Sequence, residues 1–457
     1  MQYDKLVPPY KTKSVERIRL LPREERIRRL DGAGLNPFLL NSEDVFIDLL
    51  TDSGTSAMSD DQWAGIMRGD ESYAGSASFL KLATAVKEIM GFDYILPTHQ
   101  GRGAEHVLDK LLIKEGQIVP GNLHFDTTKA HIENRGGMAV DCTVQEAYDI
   151  KNPYPFKGNL DVLRLEDLIH KDPDRVAYIL ITVTCNTGGG HPVSMENIKA
   201  VAGIARRYNL LLFFDAARYA ENAYFIKTRE EGYKDKSIRS IVMEMMSYVD
   251  GCLMSGKKDA LVNIGGFLAF KERDLYQRLS PICVLMEGFP TYGGMSGRAM
   301  EAMAVGLYEG VEEEYLQYRT GQVEYLAREI ERLGIPIMKP SGGHAVYIDA
   351  ASFLPHIPPN ELPGQALVIE TYIEGGVRGV EIGTLLAGRD PRSGENLHPR
   401  LELFRLAIPR RVYSREHLDY VVECIRHVYQ RRNKIRGLKF AYEAPILRHF
   451  QSTFRWA

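Results

Sequence analysis

The chain has 457 residues, which at about 150 residues per domain corresponds to roughly three units or one large two-domain body. Charged residues make up 26% and hydrophobic residues 44% of the sequence, which excludes a disordered or fibrous chain. The 57 basic and 60 acidic residues leave a formal charge of -3, so no bulk positive field is available to hold nucleic acid or an anionic membrane. A small-molecule partner is therefore favoured.

The five cysteines are scattered along the chain without a C-x-x-C pair. This spacing suggests neither a zinc site nor a disulfide framework, and it favours the reduced thiols of a cytosolic protein. The N-terminal segment MQYDKLVPPYKTKSVERIRL carries charges where a signal peptide needs an apolar core, and the sequence contains no apolar run of about 18 residues. We therefore predict a cytoplasmic protein that does not enter a membrane.

The first 45 residues are polar and rich in arginine. Because they cannot form a core alone, we predict that residues 1–45 are an N-terminal arm that belongs partly to a small domain or packs on a partner subunit. Residues 46–309 alternate short apolar strands with amphipathic helices, which is the pattern of a mainly parallel sheet covered on both faces. This α/β region is the predicted large domain. Its clearest strands lie at 94–97, 178–184 and 210–215.

Two Gly-rich segments of the large domain, NTGGGHP at 186–192 and GFPTYGGMSG at 288–297, are predicted to be loops that approach a ligand closely. Near Glu309 a long charged helix begins, and strands are predicted after it in GGHAVYIDA, VRGVEIG and LELFRLAIP. Residues 310–457 are therefore predicted to form a smaller α+β domain.

Two adjacent lysines, Lys257 and Lys258, stand between a predicted strand and an apolar run in MSGKKDALVNIGG. A lysine at a strand end in a partly dry cleft can lose its proton and form a Schiff base with an aldehyde, although two solvated turn lysines would also explain this segment. Asp215 follows an apolar strand and needs a cation as its partner. That cation could be a protonated pyridine nitrogen or the nearby Arg218.

The segment THQGRGAEH at 98–106 places glycines and Arg102 at the start of a predicted helix, where backbone N–H groups favour a phosphate. Ser255 and Lys257 could complete such a site. The segment lacks the third glycine of a dinucleotide fingerprint and the G-K-[ST] of a P-loop. An aldehyde-binding lysine, a carboxylate for a pyridinium and a phosphate site together make pyridoxal 5'-phosphate (PLP) the most economical cofactor.

Longer strings in the sequence carry a more specific signal. Along essentially its whole length the chain resembles the β-eliminating lyases of the aromatic amino acids, through NPFLLNSEDVFIDLLTDSGT, MRGDESYAGS, PTHQGRGAE, AENAYFIK, SGKKDALVNIGG, EGFPTYGG, GGHAVYIDA and LRHF. The resemblance implies an α/β enzyme of fold type I, similar to aspartate aminotransferase, with PLP on the large domain and a small domain built from both chain ends. It also implies a homotetramer whose active sites lie between subunits.

The resemblance assigns a role to each matching position. Lys258 corresponds to the Schiff-base lysine, Asp215 to the partner of the pyridine nitrogen, and Arg405 to the arginine that binds the substrate carboxylate. Tyr73 corresponds to the acid that protonates the leaving group. The other positions implied to bind the cofactor are Gln100, Gly101, Arg102, Ser255 and Lys257 at the phosphate, Phe125 on the ring face, Asn186 and Arg218 near the phenolic oxygen, and Tyr292 from across a subunit interface.

The family also has a monovalent-cation site at a subunit interface. At the matching positions this sequence has Gly54, Glu71 and Asn263, so the resemblance implies K+ bound by carbonyl oxygens and one carboxylate.

The residues expected around the substrate ring favour one substrate. Tyrosine-cleaving members of the family bind the phenolic hydroxyl with a threonine and an arginine, and this sequence has Asp126 and Ile382 at those positions. Isoleucine leaves an apolar wall, Asp126 can accept the indole N–H, and His449 stands where an aromatic ring is common. With Phe38 also assigned to substrate binding, we predict β-elimination of L-tryptophan to indole, pyruvate and ammonium. The alternatives are β-elimination of L-tyrosine to phenol and, from another class, a PLP-binding protein without catalysis.

Overall fold

The computed structural model describes residues 6–390 and 393–457. Contacts divide the chain into two compact units. Within the described residues, unit 1 contains 6–9, Ser53–Ala147 and Tyr154–Thr320, and unit 2 contains Tyr10–Asp52, Tyr148–Pro153 and the segment from Gly321 onward. No helix within the two described ranges is long and apolar enough to cross a bilayer.

The α-helices are α1 (Arg23–Gly32), α2 (Asp60–Arg68), α3 (Ala77–Met90), α4 (Gly101–Leu112), α5 (Asp126–Asn134), α6 (Val162–Lys171), α7 (Met195–Arg207), α8 (Tyr219–Arg229), α9 (Ile238–Ser247), α10 (Arg273–Met286), α11 (Gly297–Glu309), α12 (Glu313–Arg332), α13 (Ala350–Phe353), α14 (Pro363–Gly375), α15 (Thr384–Ala387) and α16 (Arg415–Gln430). The strands are β1 (Ile47–Asp48), β2 (Tyr94–Thr98), β3 (Ile118–Gly121), β4 (Met138–Asp141), β5 (Ile179–Thr182), β6 (Leu212–Asp215), β7 (Gly251–Ser255), β8 (Gly266–Phe270), β9 (Ala345–Asp349), β10 (Val377–Arg378), β11 (Val380–Ile382), β12 (Leu403–Ala407), β13 (Leu438–Tyr442) and β14 (Thr453–Trp456).

A seven-stranded sheet forms the centre of unit 1, with the strand order β2-β8-β7-β6-β5-β3-β4. Strand β8 runs antiparallel to both of its neighbours, and the other neighbouring pairs are parallel. The mainly parallel sheet predicted from the alternating strands and helices is therefore confirmed.

The central strands are apolar on both faces because helices cover the sheet on each side. Successive side chains of a strand point to opposite faces, and β6 shows the consequence. Phe213 packs with Leu108 of α4 and Leu279 of α10, whereas Phe214 belongs to a second cluster with Val86 of α3. Strand β6 is thus held between two apolar layers, and this packing fixes the position of Asp215 at its end.

The joins between the two units lie away from the positions that the sequence predicts. The sequence places them after residues 45 and 309, whereas contacts place them after Asp52 and Thr320. Helix α12 contributes Leu316 to the core of unit 1 and Leu326 to the core of unit 2. Although Gly321 follows the join, the helix continues through it with its apolar spacing on both sides, so the sequence pattern does not mark a boundary there. The division into separate domains stays a prediction.

Unit 2 is built around a three-stranded antiparallel sheet in which β12 lies between β11 and β9. The segment VRGVEIG, predicted as one strand, forms β10 and β11 on either side of Gly379. A Cβ atom at Gly379 would lie only 2.4 Å from the Phe404 ring, so the chain needs glycine there. Strand β10 pairs in parallel with β1, which brings residues of the N-terminal segment into unit 2.

Candidate active site

A cleft opens in unit 1 at the carboxyl ends of β2, β6 and β7, the edge at which parallel α/β sheets bind ligands. Strand β6 ends at Asp215, β7 ends at Ser255, and α4 begins at Gly101 shortly after β2. Many residues that the resemblance assigns to the cofactor line this cleft, namely Gln100, Gly101, Arg102, Phe125, Asp215, Ser255, Lys257 and Lys258.

The two adjacent lysines have different partners. Lys258 Nζ donates a hydrogen bond to Ser255 Oγ at 2.9 Å, which holds this amine at the end of β7. Lys257 Nζ donates to Gln100 Oε1 at 3.0 Å, so it reaches the start of α4. Burial and the Arg102 guanidinium lower the pKa of the Lys257 amine. The pair therefore presents one amine beside the sheet and one beside the helix N-terminus.

Asp215 is a half-buried carboxylate at the end of the central strand β6. Its Oδ1 accepts a hydrogen bond from the Ala217 N–H at 3.2 Å. Burial raises the pKa of Asp215, while the positive charges of Lys258 and Arg218 and the bond from Ala217 oppose that rise. A buried carboxylate is stabilised by a cation, so this end of the cleft is suited to a group that carries positive charge.

The start of α4 has the features of a phosphate site. The first N–H groups of a helix have no intrahelical partner, and the helix dipole favours an anion there. A Cβ atom at Gly101 would lie 2.8 Å from Ser255 Cβ, so glycine allows the helix start to approach β7 closely. Arg102 and Lys257 add positive charge to the same cleft.

This donor set fits PLP. The helix start with Arg102 and Lys257 suits the phosphate, the carboxylate of Asp215 suits a pyridinium nitrogen, and the Lys258 amine suits an aldehyde. Phe125 lines the same cleft and precedes α5, where it offers a ring face. All of these residues belong to unit 1.

The sequence reasoning missed five further residues that line the cleft. Among them, Glu105 lies within the same THQGRGAEH segment, one turn of α4 after the phosphate-binding residues. Its position on the same helix face as Gly101 was a usable signal, since residues four apart share a face. The missed residues are Ser53, Glu105, Thr127, Ala217 and Leu253.

Several predicted site residues lie outside the cleft lining. Asn186 and Arg218 are buried in unit 1, and the Arg218 N–H donates to the Val183 carbonyl at 3.0 Å just before α8. Tyr73 and Tyr292 lie together, with ring centroids 5.4 Å apart. The Tyr73 side chain is 62% exposed, so within this chain it faces solvent rather than the cleft.

The glycines of the two Gly-rich segments do not line the cleft. Gly293 has a φ of +56°, and a Cβ atom there would lie 1.9 Å from the Pro97 carbonyl oxygen. Gly190 has a φ of +69° and donates its N–H to the Cys185 carbonyl at 2.9 Å. These glycines permit close backbone packing and tight turns, which accounts for them without a ligand.

The residues predicted to bind K+ are brought together only in part. The Asn263 side-chain amide donates to the Gly54 carbonyl at 3.0 Å and to the Ser56 carbonyl at 3.2 Å. The Glu71 carboxylate instead forms an ion pair with Arg298 at 2.7 Å, and both side chains are more than half exposed. The K+ site stays a prediction.

Three of the residues that are predicted to contact the substrate ring lie in unit 2, namely Phe38, Ile382 and His449. Phe38 packs edge-on against His449, with ring centroids 5.8 Å apart, and His449 is buried. Ile382 ends β11 and is 6% exposed, within an apolar cluster against which Phe38 also packs. Asp126, by contrast, belongs to unit 1, where it begins α5 and accepts the Thr127 N–H at 2.6 Å.

Arg405, the predicted ligand of the substrate carboxylate, lies in the middle of β12. Its side chain is buried, and its guanidinium donates to the Leu50 carbonyl at 3.1 Å. It is paired in register with Val380 and Tyr347 on the neighbouring strands. A buried arginine held by the sheet is a rigid donor for a carboxylate.

Two buried acids lie close to Ile382. Glu381 precedes it on β11, and Glu402 directly precedes the neighbouring strand β12. Glu381 accepts the N–H groups of Leu385 and Leu386, each at 3.0 Å, and Glu402 accepts the Thr384 N–H at 2.9 Å. Burial raises the pKa of both acids, and the negative charge of Glu402 raises that of Glu381 further. The pair therefore retains a proton above the pH at which an exposed glutamate has lost it.

We expect Glu381→Gln to become more stable relative to the native chain as the pH rises from 5 to 8. A glutamate in the unfolded chain loses its proton near pH ~4.3, whereas the folded chain keeps that proton up to the raised pKa. Between these two pH values the free energy of unfolding of the native chain falls as the pH rises, by up to about 1.4 kcal/mol per pH unit for one proton. Glutamine does not titrate. Thermal unfolding of both proteins across this range measures the difference, with the exposed Glu115→Gln as the control. A difference that does not change with pH would contradict the shared-proton assignment.

Two solved structures share this fold along most of their length. A threonine aldolase from Leishmania major has a TM-score of 0.57 and 13% identity, over 84% of this chain and 99% of that one. A serine palmitoyltransferase from Sphingomonas wittichii has a TM-score of 0.59 and 12% identity, over 90% and 97%. These likenesses concern the fold alone, and with them the predicted fold-type-I class is confirmed.

The family follows from the sequence comparisons. The profile of the β-eliminating lyases matches residues 48–424, and this chain belongs to that family. Over 98% of both chains it is 53% identical to a tyrosine phenol-lyase of Symbiobacterium thermophilum and 54% identical to one of Pasteurella multocida. It is also 53% identical to a probable β-eliminating lyase of Trichomonas vaginalis, over 96% of both chains.

Proposed function

We propose that this lyase uses PLP to eliminate the ring of an aromatic L-amino acid, with pyruvate and ammonium as the other products. The observation that carries the proposal is the cleft of unit 1, in which a half-buried carboxylate, an amine and a helix N-terminus are combined. When bound, PLP supplies an electron sink for the electron pair left on the substrate Cα.

The cleft residues divide the work of holding the cofactor. The phosphate would be held by the start of α4 with Arg102 and Lys257, and the pyridine nitrogen by Asp215. Because Asp215 is half-buried at the base of the cleft, its charge is only partly screened by solvent and favours the protonated ring nitrogen. Lys258 would hold the aldehyde before substrate arrives, and its freed amine can then take the proton from Cα.

Residues outside the cleft lining complete the proposal. Arg405 would bind the substrate carboxylate through two parallel N–H groups, which orients Cα. Tyr73 would donate its hydroxyl proton to the ring carbon that leaves, and Tyr292 lies against it. Asn186 and Arg218 would hold the phenolic oxygen of the cofactor.

L-Tyrosine is the first candidate for the substrate. The relatives from S. thermophilum and P. multocida, which match along almost the whole chain, are tyrosine phenol-lyases. These names support the alternative that the sequence left open better than they support L-tryptophan. Release of phenol from L-tyrosine, measured against release of indole from L-tryptophan, tests the choice directly.

L-Tryptophan is the second candidate, and Ile382 is the observation that favours it. This buried side chain lies in an apolar cluster and has no polar atom with which to bind a phenolic hydroxyl. An apolar wall suits indole, whose single polar group could be bound by Asp126. His449 and Phe38 would complete an aromatic surround.

Ile382→Arg tests whether this residue contacts the ring. Wherever indole release is measurable, we expect the variant to lower kcat/KM for L-tryptophan by about 30-fold or more, because a buried guanidinium without a partner costs ~2 kcal/mol or more. S-alkyl cysteines do not fill the ring pocket and should be cleaved at the native rate. Ile382→Leu, which conserves volume, is the matched control. Equal losses on both substrate classes would mean that Ile382 supports the general site instead.

The assembly and ion requirements are also proposals. We propose a cytoplasmic homotetramer that binds K+ near Gly54, Glu71 and Asn263. Light scattering on the purified protein measures the number of subunits, and assays in K+ and then in Na+ measure the ion requirement.

A further inference from the structure

Glu105 connects the two helices that border the proposed cofactor site. It lies on α4, one turn after Gly101, and lines the cleft. Its Oε1 accepts a hydrogen bond from the Thr128 hydroxyl at 2.6 Å, and its Oε2 accepts one from the Thr127 hydroxyl at 3.1 Å. Both threonines belong to the first turn of α5, which Phe125 precedes. One carboxyl group thus joins the phosphate end of the cleft to its stacking ring.

The surroundings of Glu105 favour the uncharged acid. The residue is 7% exposed, and its two direct partners are neutral hydroxyl groups. Burial raises the pKa of Glu105 to about 8, and the negative charges of Asp215 and Asp109 contribute to the rise, which the hydrogen bonds donated by Thr128 and Thr127 oppose only in part. The acid is therefore largely protonated at neutral pH and ionises as the pH passes about 8.

The titratable groups closest to Glu105 do not give its carboxylate a positively charged partner. His131 Nε2 of α5 lies 3.9 Å from Glu105 Oε2, and burial together with His106 and Arg102 lowers the pKa of His131. Asp109 lies one turn further along α4, accepts the Tyr178 hydroxyl at 2.6 Å, and has a pKa raised by burial to about 7. The remaining charged groups around the cleft are Arg102 on α4, Asp126 on α5, Asp215 on β6, and Lys257 and Lys258 after β7.

We propose that Glu105 is a positioning residue that stays uncharged so that α4 and α5 can close around an anionic cofactor. The inference rests on the proposed function, because it assumes that PLP occupies this cleft. The phosphate of PLP is anionic, so a second carboxylate beside Asp215 would repel the cofactor in a poorly screened site. As the neutral acid, Glu105 keeps the hydrogen bonds to α5 without that repulsion.

The test is the binding of PLP to the cofactor-free protein, measured by absorbance without any substrate between pH 6.5 and 9.5. For the native chain we expect affinity to fall as the pH rises through about 8. Glu105→Gln is permanently neutral and can still bond the threonines, so it should bind within about threefold of the native chain at pH 7 and lose that fall. Glu105→Ala should bind about tenfold or more weakly at every pH, since two buried hydroxyls lose their acceptor.

Asp109→Asn is the matched control, because it removes another buried acid of α4 that does not line the cleft. This variant should keep a fall in affinity, displaced to a somewhat lower pH because the charge of Asp109 no longer helps to raise the pKa of Glu105. Parallel pH curves for the native chain and Glu105→Gln would overturn the neutral-acid role, and native affinity in a folded Glu105→Ala would overturn the connection between helices. Failure of the native chain to bind PLP would refute the proposed function itself, whereas binding without elimination would refute only the proposed reaction.

Discussion

Lys258→Ala is expected to abolish elimination while the protein still folds. The substitution removes both the amine that would hold the cofactor aldehyde and the base that would take the Cα proton, and loss of a positioned base alone costs roughly 10²- to 10⁴-fold. The visible absorbance of lysine-bound PLP should disappear as well. Steady-state release of pyruvate and an absorbance spectrum of the purified variant measure the two effects.

Lys257→Ala is the control that the chain provides next to it. Lys257 hydrogen-bonds Gln100 rather than Ser255, so its loss should weaken cofactor binding but leave the visible band of the bound cofactor. Borohydride reduction followed by peptide mapping identifies the attached residue. Trapping of the cofactor on Lys257 would show that the assignment to Lys258 is wrong.

Asp215→Ala is expected to produce the second largest loss. Breaking a buried charge pair costs about 3–5 kcal/mol, which corresponds to roughly 10²- to 5 × 10³-fold in rate if the pair forms with the cofactor nitrogen. The protein itself should remain folded, because Asp215 lies at the end of β6 and the apolar strand residues before it supply the packing. Pyruvate release and thermal unfolding of the same preparation separate the two effects.

Asp215→Glu is the conservative control and should retain part of the activity, since it keeps the negative charge. Arg218 offers the competing account, in which Asp215 serves the structure as part of a salt bridge. Two results together would support that account. Asp215→Ala would be unfolded, and Asp215→Glu would be folded, with the same cofactor binding and the same pH dependence as the native chain.

The sequence determined the residues of the cleft through local patterns. A carboxylate directly after an apolar strand needs a charged partner, which singles out Asp215, and two lysines between a strand and an apolar run single out the pair Lys257 and Lys258. Gly101 and Arg102 were found because helix starts bind phosphate. Each of these inferences needs only nearby residues and a general energetic cost, which is why sequence alone could support them. The choice of Lys258 within that pair comes from the family resemblance.

Overall similarity and a few ring-facing residues point to different substrates. The relatives named above at 53% and 54% identity are tyrosine phenol-lyases. The residue types at Ile382 and Asp126 instead favour L-tryptophan. Most identical positions serve the shared fold and cofactor, so overall identity weights them far above the few side chains that contact the ring. The substrate assay and Ile382→Arg address those few side chains directly.

By itself the sequence determined the mainly parallel sheet, the cofactor-binding residue types and the family resemblance, because hydrophobic periodicity and strand-end chemistry are local properties. Only the tertiary structure decided which of those residues share a cleft. The sequence places Glu105 on the same face of α4 as Gly101, but only the packing of α4 against α5 gives it two threonine partners and takes it out of water. The join at Thr320 was likewise decided by packing, since α12 continues through it and buries its two ends in different cores. Desolvation and contacts between distant segments depend on how the chain is assembled, and no local pattern records them.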